Sequence, residues 1–241
     1  MKSDILFASD IHLAPTGDRW VVPVFTRFLD RQAREAEKLF ILGDLFDYWA
    51  GRRQLDDPKL APVVQAMHRV AEAGVSITLL PGNRDFLLSP SEARRLGAEM
   101  GGEVVEVEAQ GLKLFLTHGD LFCTFDVRYQ RMKKVLRNPA VLFLARSIPS
   151  WLALAAAKRL RKHSSRVKRL KSPHETSLDK EYIQRVARKG FDAILCGHVH
   201  QAGVEDLEGG GRLITLADWN SEGGSYVRLR DGKLSLQFFS P

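Results

Sequence analysis

Cysteine is scarce. Cys123 and Cys196 are the only two in 241 residues, too few for a disulfide-stapled domain or a cysteine-built zinc cluster. Both read as small apolar packing groups in a reducing compartment. The opening MKSDILFASD lacks the apolar stretch of roughly 7 to 15 residues, closed by a small-residue cleavage site, that marks a secretory leader. A cytoplasmic location is therefore expected. The longest apolar run, Ala140 to Ala157, is broken by Arg146 and Pro149 and diluted by serine. That excludes a bilayer-crossing helix and leaves attachment to a membrane surface open. With apolar residues at 44% and charged residues at 27%, disordered and collagen-like chains are excluded as well. No internal repeat or linker divides the chain, so one domain over residues 1–241 is the expectation.

Acidic residues are missing from one long segment. Val127 to Ser172 holds fourteen Lys/Arg and no Asp/Glu, whereas the remainder holds 22 basic and 29 acidic residues. The net charge of +7 is thus a local property, and a segment of this kind expects an anionic partner: lipid headgroups, nucleic acid or a phosphorylated substrate.

Short β-branched and leucine-rich runs bounded by turn residues predict strands at Ile5 to Ala8, Leu39 to Leu42, Ser76 to Leu80, Leu112 to Leu116, Ala193 to Cys196 and Leu213 to Leu216. Helical periodicity falls between several of them, at Val24 to Ala36, Ala61 to Ala73 and Ser91 to Met100. Tyr226 to Leu229 and Leu234 to Phe238 flank Asp231-Gly232, a hairpin signal. Gly209-Gly210-Gly211 reads as another turn between strands. Alternating strands and helices define an α/β fold.

Each of the first five strands runs into residues with ligand chemistry: Asp10 and His12, Asp44, Asn83, His118, then His198 and His200. Ligands bind at the carboxyl ends of strands in open α/β sheets, so these residues can converge across the chain. Two carboxylates, four imidazoles and one amide form a mixed nitrogen and oxygen set without thiolate, suited to manganese, iron or zinc. Seven donors exceed what one ion takes; two divalent ions roughly 3.5 to 4 Å apart would use them all and leave a positive site for a phosphate oxygen. Glycines before Asp44, Asn83 and His198 would let the backbone come close to the ions. Asp47, Asp85 and Asp120 read either as groups orienting the ligands or as caps of turns and helices. Trp219 reads as a wall of the core or pocket.

Asp10-Ile11-His12, Gly43-Asp44-Leu45-Phe46-Asp47, Gly82-Asn83-Arg84-Asp85, His118 and Gly197-His198-Val199-His200 stand in the order DxH, GDxxD, GNxx, isolated His and GHxH. On these motifs the chain resembles the calcineurin-like metallophosphoesterase superfamily over residues 4–220. The resemblance implies a four-layer αββα sandwich with Asp10, His12 and His200 on one metal, Asn83, His118 and His198 on the other, and Asp44 bridging. Arg84 stands where many members have His. With Asn83-Arg84-Asp85-Phe86-Leu87, the His118-Gly119-Asp120 segment through Cys123-Thr124, and Trp219 to Gly223, it resembles the UDP-2,3-diacylglucosamine hydrolases of lipid A synthesis. These cleave the pyrophosphate to UMP and 2,3-diacylglucosamine 1-phosphate (lipid X).

That resemblance implies catalytic roles for Asn83, Arg84 and His118, and substrate contacts from Asn83, Arg84, Asp126, Tyr129, Ser164, Lys168, Lys171 and His198. It implies two divalent ions, manganese first among them, a nucleotide-linked glycolipid as partner, and a peripheral position on the cytoplasmic face of the inner membrane. Motif spacings of 34, 39 and 35 residues are followed by one of 80, from His118 to His198. About forty residues are inserted there, and they include the basic block at about 127–172 and the broken apolar run. Such a segment suits an amphipathic helical lid. After His200 the family often continues Arg-Pro, where Gln201-Ala202 stand here. A nuclease or general phosphodiesterase on the same metals is the alternative. The basic block interleaves too few aromatics to stack bases, so nucleic acid is not expected as a partner. A scaffold without chemistry would have no reason to keep all seven ligands.

Overall fold

A computed structural model describes residues 3–14, 21–138, 140–142, 144 and 177–241. The strands are β1 (Ile5–Ala8), β2 (Lys38–Ile41), β3 (Ser76–Leu79), β4 (Glu99–Met100), β5 (Val104–Ala109), β6 (Leu112–Thr117), β7 (Ala193–Cys196), β8 (Gly203–Asp206), β9 (Arg212–Thr215), β10 (Gly224–Arg230) and β11 (Lys233–Phe239). The helices are α1 (Val21–Arg31), α2 (Ala61–Glu72), α3 (Pro90–Arg95), α4 (Val127–Leu136) and α5 (Lys180–Ala187). Two mixed sheets form, ordered β11-β10-β1-β2-β3-β4 and β5-β6-β7-β9-β8. In the first, β1 to β4 run parallel, β10 is antiparallel to β1, and β11 is antiparallel to β10. In the second, β6, β7 and β9 are parallel between antiparallel edges β5 and β8.

Side-chain alternation along the strands builds the layers. Ile5 and Phe7 of β1 join Phe40 and Leu42, and these meet Leu114, Leu116, Ala193, Leu195 and Ile214 of the other sheet in a core between the sheets. Leu6, Ala8, Leu39 and Ile41 face the opposite way, onto Phe25, Phe28 and Leu29 of α1 and Met67 and Val70 of α2. On the far side, Phe115, Ile194 and Cys196 pack on Ile183, Val186 and Ala187 of α5. Strands buried on both faces require continuous apolar runs, which is how they read in the sequence. The result is the expected helix–sheet–sheet–helix order.

Register brings the strand ends level. Ala8 pairs with Ile41 and Ile41 with Leu79, so the Asp10, Asp44 and Asn83 loops leave one edge together. Leu116 pairs with Leu195 in the second sheet, which carries His118 and His198 to the corresponding edge.

Two expectations need correction. The helix expected over Ser91 to Met100 stops at Arg95, because Gly97 takes a left-handed φ of +71° and Glu99–Met100 then pairs with β3. The Val24 to Ala36 helix ends at Arg31, and a 3-10 turn follows at Ala33–Glu35. The Asp231-Gly232 hairpin forms with both residues at positive φ, 51° and 71°. The triple glycine does connect β8 to β9.

Among the described residues no helix is long and apolar enough to cross a membrane. The second half of the basic block, including Ser164, Lys168 and Lys171, lies outside the described residues.

Asp179 joins α5 to the loop that follows β6. Its Oδ1 caps the helix by accepting the Tyr182 N–H at 3.0 Å, its Oδ2 accepts the Thr124 hydroxyl at 2.5 Å, and its own N–H donates to the Phe122 carbonyl at 2.8 Å. The Thr124 hydroxyl, with the Tyr182 amide, holds the carboxyl below its ordinary range. A depressed native pKa contributes stability above the unfolded value of about 3.9, and the contribution is lost as pH falls through the native value. Asp179→Ala is expected to cost about 1 kcal/mol near neutral pH. In urea titrations the deficit should shrink below about pH 3.9; a deficit of the same size at pH 7 and pH 3 would contradict this account.

Candidate metal centre

The loops at the sheet edges hold an unusual backbone. Asp10, His12, Asp44, His198 and His200 all have positive φ, at 55°, 55°, 52°, 69° and 59°. Side-chain-bearing residues adopt this region at a cost, and it persists only where the surroundings enforce it. The enforcement is visible. Asp10 N–H donates to the Gly43 carbonyl at 3.2 Å, His12 N–H to the Asp44 carbonyl at 3.0 Å, Gly197 N–H to the His118 carbonyl at 2.9 Å and Trp219 N–H to the Asp10 carbonyl at 3.1 Å. Two glycines are required by contact: a Cβ on Gly82 would lie 2.1 Å from Asp44 Oδ1, and one on Gly197 would lie 2.0 Å from Asp10 Oδ2.

On this frame the seven candidate ligands converge in two groups. In the first, Asp10 Oδ1 faces His200 Nε2 at 3.3 Å and His12 Nε2 at 3.6 Å, and the two imidazole nitrogens are 3.4 Å apart. In the second, Asn83 Oδ1 lies 2.8 Å from His118 Nε2 and 3.0 Å from His198 Nδ1, and those nitrogens are 3.2 Å apart. Asp44 Oδ2 stands between the groups, 3.6 Å from His118 Nε2 and 4.0 Å from His12 Nδ1.

The donor chemistry fits cations. Asp10 Oδ2 is occupied by the Ser9 hydroxyl and the His198 N–H, each at 2.8 Å, whereas Oδ1 is buried and makes no proper hydrogen bond. His118 directs Nδ1 at the Leu42 carbonyl, 2.9 Å away. A neutral ring with its proton on that nitrogen would present an Nε2 lone pair to its neighbours. Burial, with Asp85 and Asp10 adding to it and His118 opposing, pushes the Asp44 carboxyl up to about 7. Buried lone pairs facing one another at such distances are unfavourable unless a proton or a cation stands among them, and a cation satisfies several donors at once. His/Asp groupings compatible with an ion are Asp10, His12 and His200, and Asp10, Asp44 and His118.

The neighbours are equally specific. Arg84 is clamped: its N–H reaches Asp44 Oδ1 at 2.9 Å, Nε lies 3.4 Å from Asp44 Oδ2, and Nη1 meets Asp47 Oδ1 at 2.5 Å. Asp85 accepts the Gly82 and Phe46 amides at 2.9 and 3.2 Å, tying two ligand loops together. Buried Asp120 receives the Tyr129 hydroxyl and pairs with Lys133 at 3.0 Å. Burial pushes its carboxyl up, but the charges of His118, Lys133 and Arg137 outweigh it and hold the group below its ordinary range. Tyr129 stacks on His198 with centroids 6.4 Å apart, and Asp126 Oδ1 caps α4 at the Tyr129 N–H, 3.1 Å away. Trp219 is fully buried among Phe25, Phe28 and Phe239, which decides for the core between its two readings, core wall and pocket wall. Sequence reasoning missed Asp218, whose Oδ2 stands 3.4 Å from His200 Nδ1.

A family model described as calcineurin-like phosphoesterase matches residues 3–202. The chain belongs to the calcineurin-like phosphoesterases, and with them to the metal-dependent hydrolases. Relatives are narrower in kind. A UDP-2,3-diacylglucosamine hydrolase of Pseudomonas aeruginosa is 35% identical over 224 residues, covering 91% of this chain and 92% of that protein. One of Stenotrophomonas maltophilia is 36% identical over 242 residues, covering 96% of each. Among solved structures, a dimetal phosphatase from Danio rerio has the same fold, with a TM-score of 0.55 at 14% identity over 99% of this chain and 96% of that one.

Gly197→Ala tests the packing of the centre. The added Cβ must displace Asp10 Oδ2 or the Ser9 hydroxyl, which lies 2.2 Å away, at an expected cost of about 1–3 kcal/mol. Manganese should raise the melting temperature of the wild-type chain and EDTA should lower it, because a ligand of the native state stabilises by mass action. In the variant manganese should give no rise; a rise equal to that of the wild type would contradict the role given to Gly197.

Proposed function

We propose that this chain is a dinuclear metal-dependent hydrolase that cleaves the pyrophosphate of UDP-2,3-diacylglucosamine to UMP and 2,3-diacylglucosamine 1-phosphate. The observation carrying the reading is the pair of donor groups, Asp10–His12–His200 and Asn83–His118–His198, with Asp44 Oδ2 between them. Asp10, His12 and His200 would hold one ion, Asn83, His118 and His198 the other, with Asp44 shared between them. When bound, the two cations, manganese in this reading, supply Lewis acidity to phosphoryl oxygens and acidify water near neutral pH. The names of the relatives support the substrate.

The protein's own groups complete the site. Arg84, held rigid by Asp44 and Asp47, sets a guanidinium beside the donor groups, where charge grows on the pyrophosphate oxygens in the transition state. Asn83 and His198 contact the same phosphates. Asp126 and Tyr129 stand at the start of α4 as substrate contacts, and Ser164, Lys168 and Lys171, which lie outside the described residues, are further substrate contacts in this reading. Because the Tyr129 hydroxyl is engaged by Asp120, the face of its ring is what it offers the substrate.

The chain works as one domain at the cytoplasmic face of the inner membrane. Supporting this, α4 exposes Val127, Met132 and Val135 beside Arg128, Arg131 and Lys134, a combination suited to anionic lipid.

The test is UMP release from UDP-2,3-diacylglucosamine in detergent with manganese, run beside bis-p-nitrophenyl phosphate and single-stranded DNA. UMP release abolished by Asp10→Asn is expected. Arg84→Ala should lower kcat by about 100-fold, as loss of a transition-state donor does, while two ions remain bound. Cleavage of the generic diester or DNA without UMP release would overturn the substrate and favour a nuclease.

A further inference from the structure

Asp218 belongs to none of the motifs that supply the donor groups, yet its neighbours are fixed from both sides. The Ala217 N–H donates to Ser225 Oγ at 2.7 Å, and that hydroxyl returns to the Ala217 carbonyl at 3.1 Å. Ser225 is fully buried on β10. Trp219 is anchored by its ring in the core and by its N–H on the Asp10 carbonyl. The carboxylate between them stands with Oδ2 3.4 Å from His200 Nδ1. The other nitrogen of that ring, Nε2, faces Asp10 Oδ1 and His12 Nε2.

The imidazole needs such a partner. A neutral ring carries one proton, and only the nitrogen without it can donate a lone pair to a cation. If the proton sat on Nε2, it would bond to Asp10 Oδ1 and close the first donor group against an ion. His118 has the corresponding partner in the Leu42 carbonyl, 2.9 Å from its Nδ1. His200 is less sheltered and holds a positive φ of 59°, and Gln201-Ala202 follow it.

We propose that Asp218 is a positioning residue for His200: it accepts the Nδ1 proton, fixes the tautomer with the Nε2 lone pair toward Asp10 and His12, and thereby sets the affinity of the first donor group for its ion. Its anchoring through Ser225 and Trp219 makes the orientation a property of the fold. The inference rests on the metal-centre reading above. Partners of this kind are worth about 10- to 100-fold in metal affinity.

The experiment uses the full chain and manganese alone, titrated by calorimetry with free ion followed by electron paramagnetic resonance. Wild type should bind two ions. Asp218→Ala should weaken one of them by about 10- to 100-fold and leave the other unchanged. Asp218→Asn, whose amide oxygen still accepts from Nδ1, should recover most of the loss. Two ions bound by Asp218→Ala as tightly as by wild type would overturn the proposal, as would equal losses in both variants. Failure of wild type to bind manganese would instead overturn the metal-centre reading itself. A readout that needs no variant is the 15N spectrum of histidine-labelled, zinc-loaded wild type: His200 should carry its proton on Nδ1, and a proton on Nε2 would overturn the assignment.

Discussion

The carboxylate of Asp10 is the constraint on which the rest of the site depends. It is fully buried at the end of a central strand, and a buried carboxylate is tolerated only when its oxygens are satisfied. One oxygen is satisfied by the chain itself, through Ser9 and the amide of His198, 188 residues away. The other points at His12 and His200. The backbone of Asp10 adds a bond to Gly43 and receives one from Trp219. One residue thus fastens the first sheet to the loop of the second and to the turn leading into β10. The five positive-φ ligand residues are the strain this fastening holds in place.

Legibility in the sequence followed the physics of each element. Strands buried on both faces, such as β1 and β7, are apolar at every position, and β2 is apolar after its first residue, Lys38, so they announced themselves as unbroken runs. β5 escaped because Glu106 and Glu108 alternate with Val105 and Val107, of which only the valines face the core between the sheets. β4 escaped because its two residues owe their pairing to β3 rather than to any local pattern. The ligands were readable since each sits just past a strand, beside the glycines that close contact demands. Asp218 was not: its meaning comes from a contact with His200, eighteen positions earlier, and no spacing rule points to it.

Composition also misled in one instructive way. The fourteen cations of Val127 to Ser172 read together as a segment awaiting an anionic partner, but Lys133 and Arg137 turn inward to carboxylates of the chain itself. Lys133 pairs with Asp120 and Glu103, and Arg137 reaches Glu103 at 3.0 Å and the Gly82 carbonyl at 3.1 Å. A count of charges holds no information about which face of a helix carries them. On α4 the residues three or four positions apart divide between the protein and solvent, with Arg128, Arg131 and Lys134 left outside.

Those inward cations explain why the insertion begins where it does. Asp120 lies two residues beyond His118, and Gly82 stands immediately before Asn83, so α4 and the Arg137 that ends it are bonded to two of the three loops that present the second donor group. Burying Lys133 and Asp120 together is tolerable only because each neutralises the other and Tyr129 adds a hydrogen bond to the same oxygen. Tyr129 then spreads its ring along His198. The first helix of the segment that the sequence marks out for an anionic, lipid-like partner is therefore built on the chemistry-bearing loops themselves. A shift of that helix relative to the sheets would have to break a buried charge network before it could move, so its near end keeps a fixed distance from the donor groups.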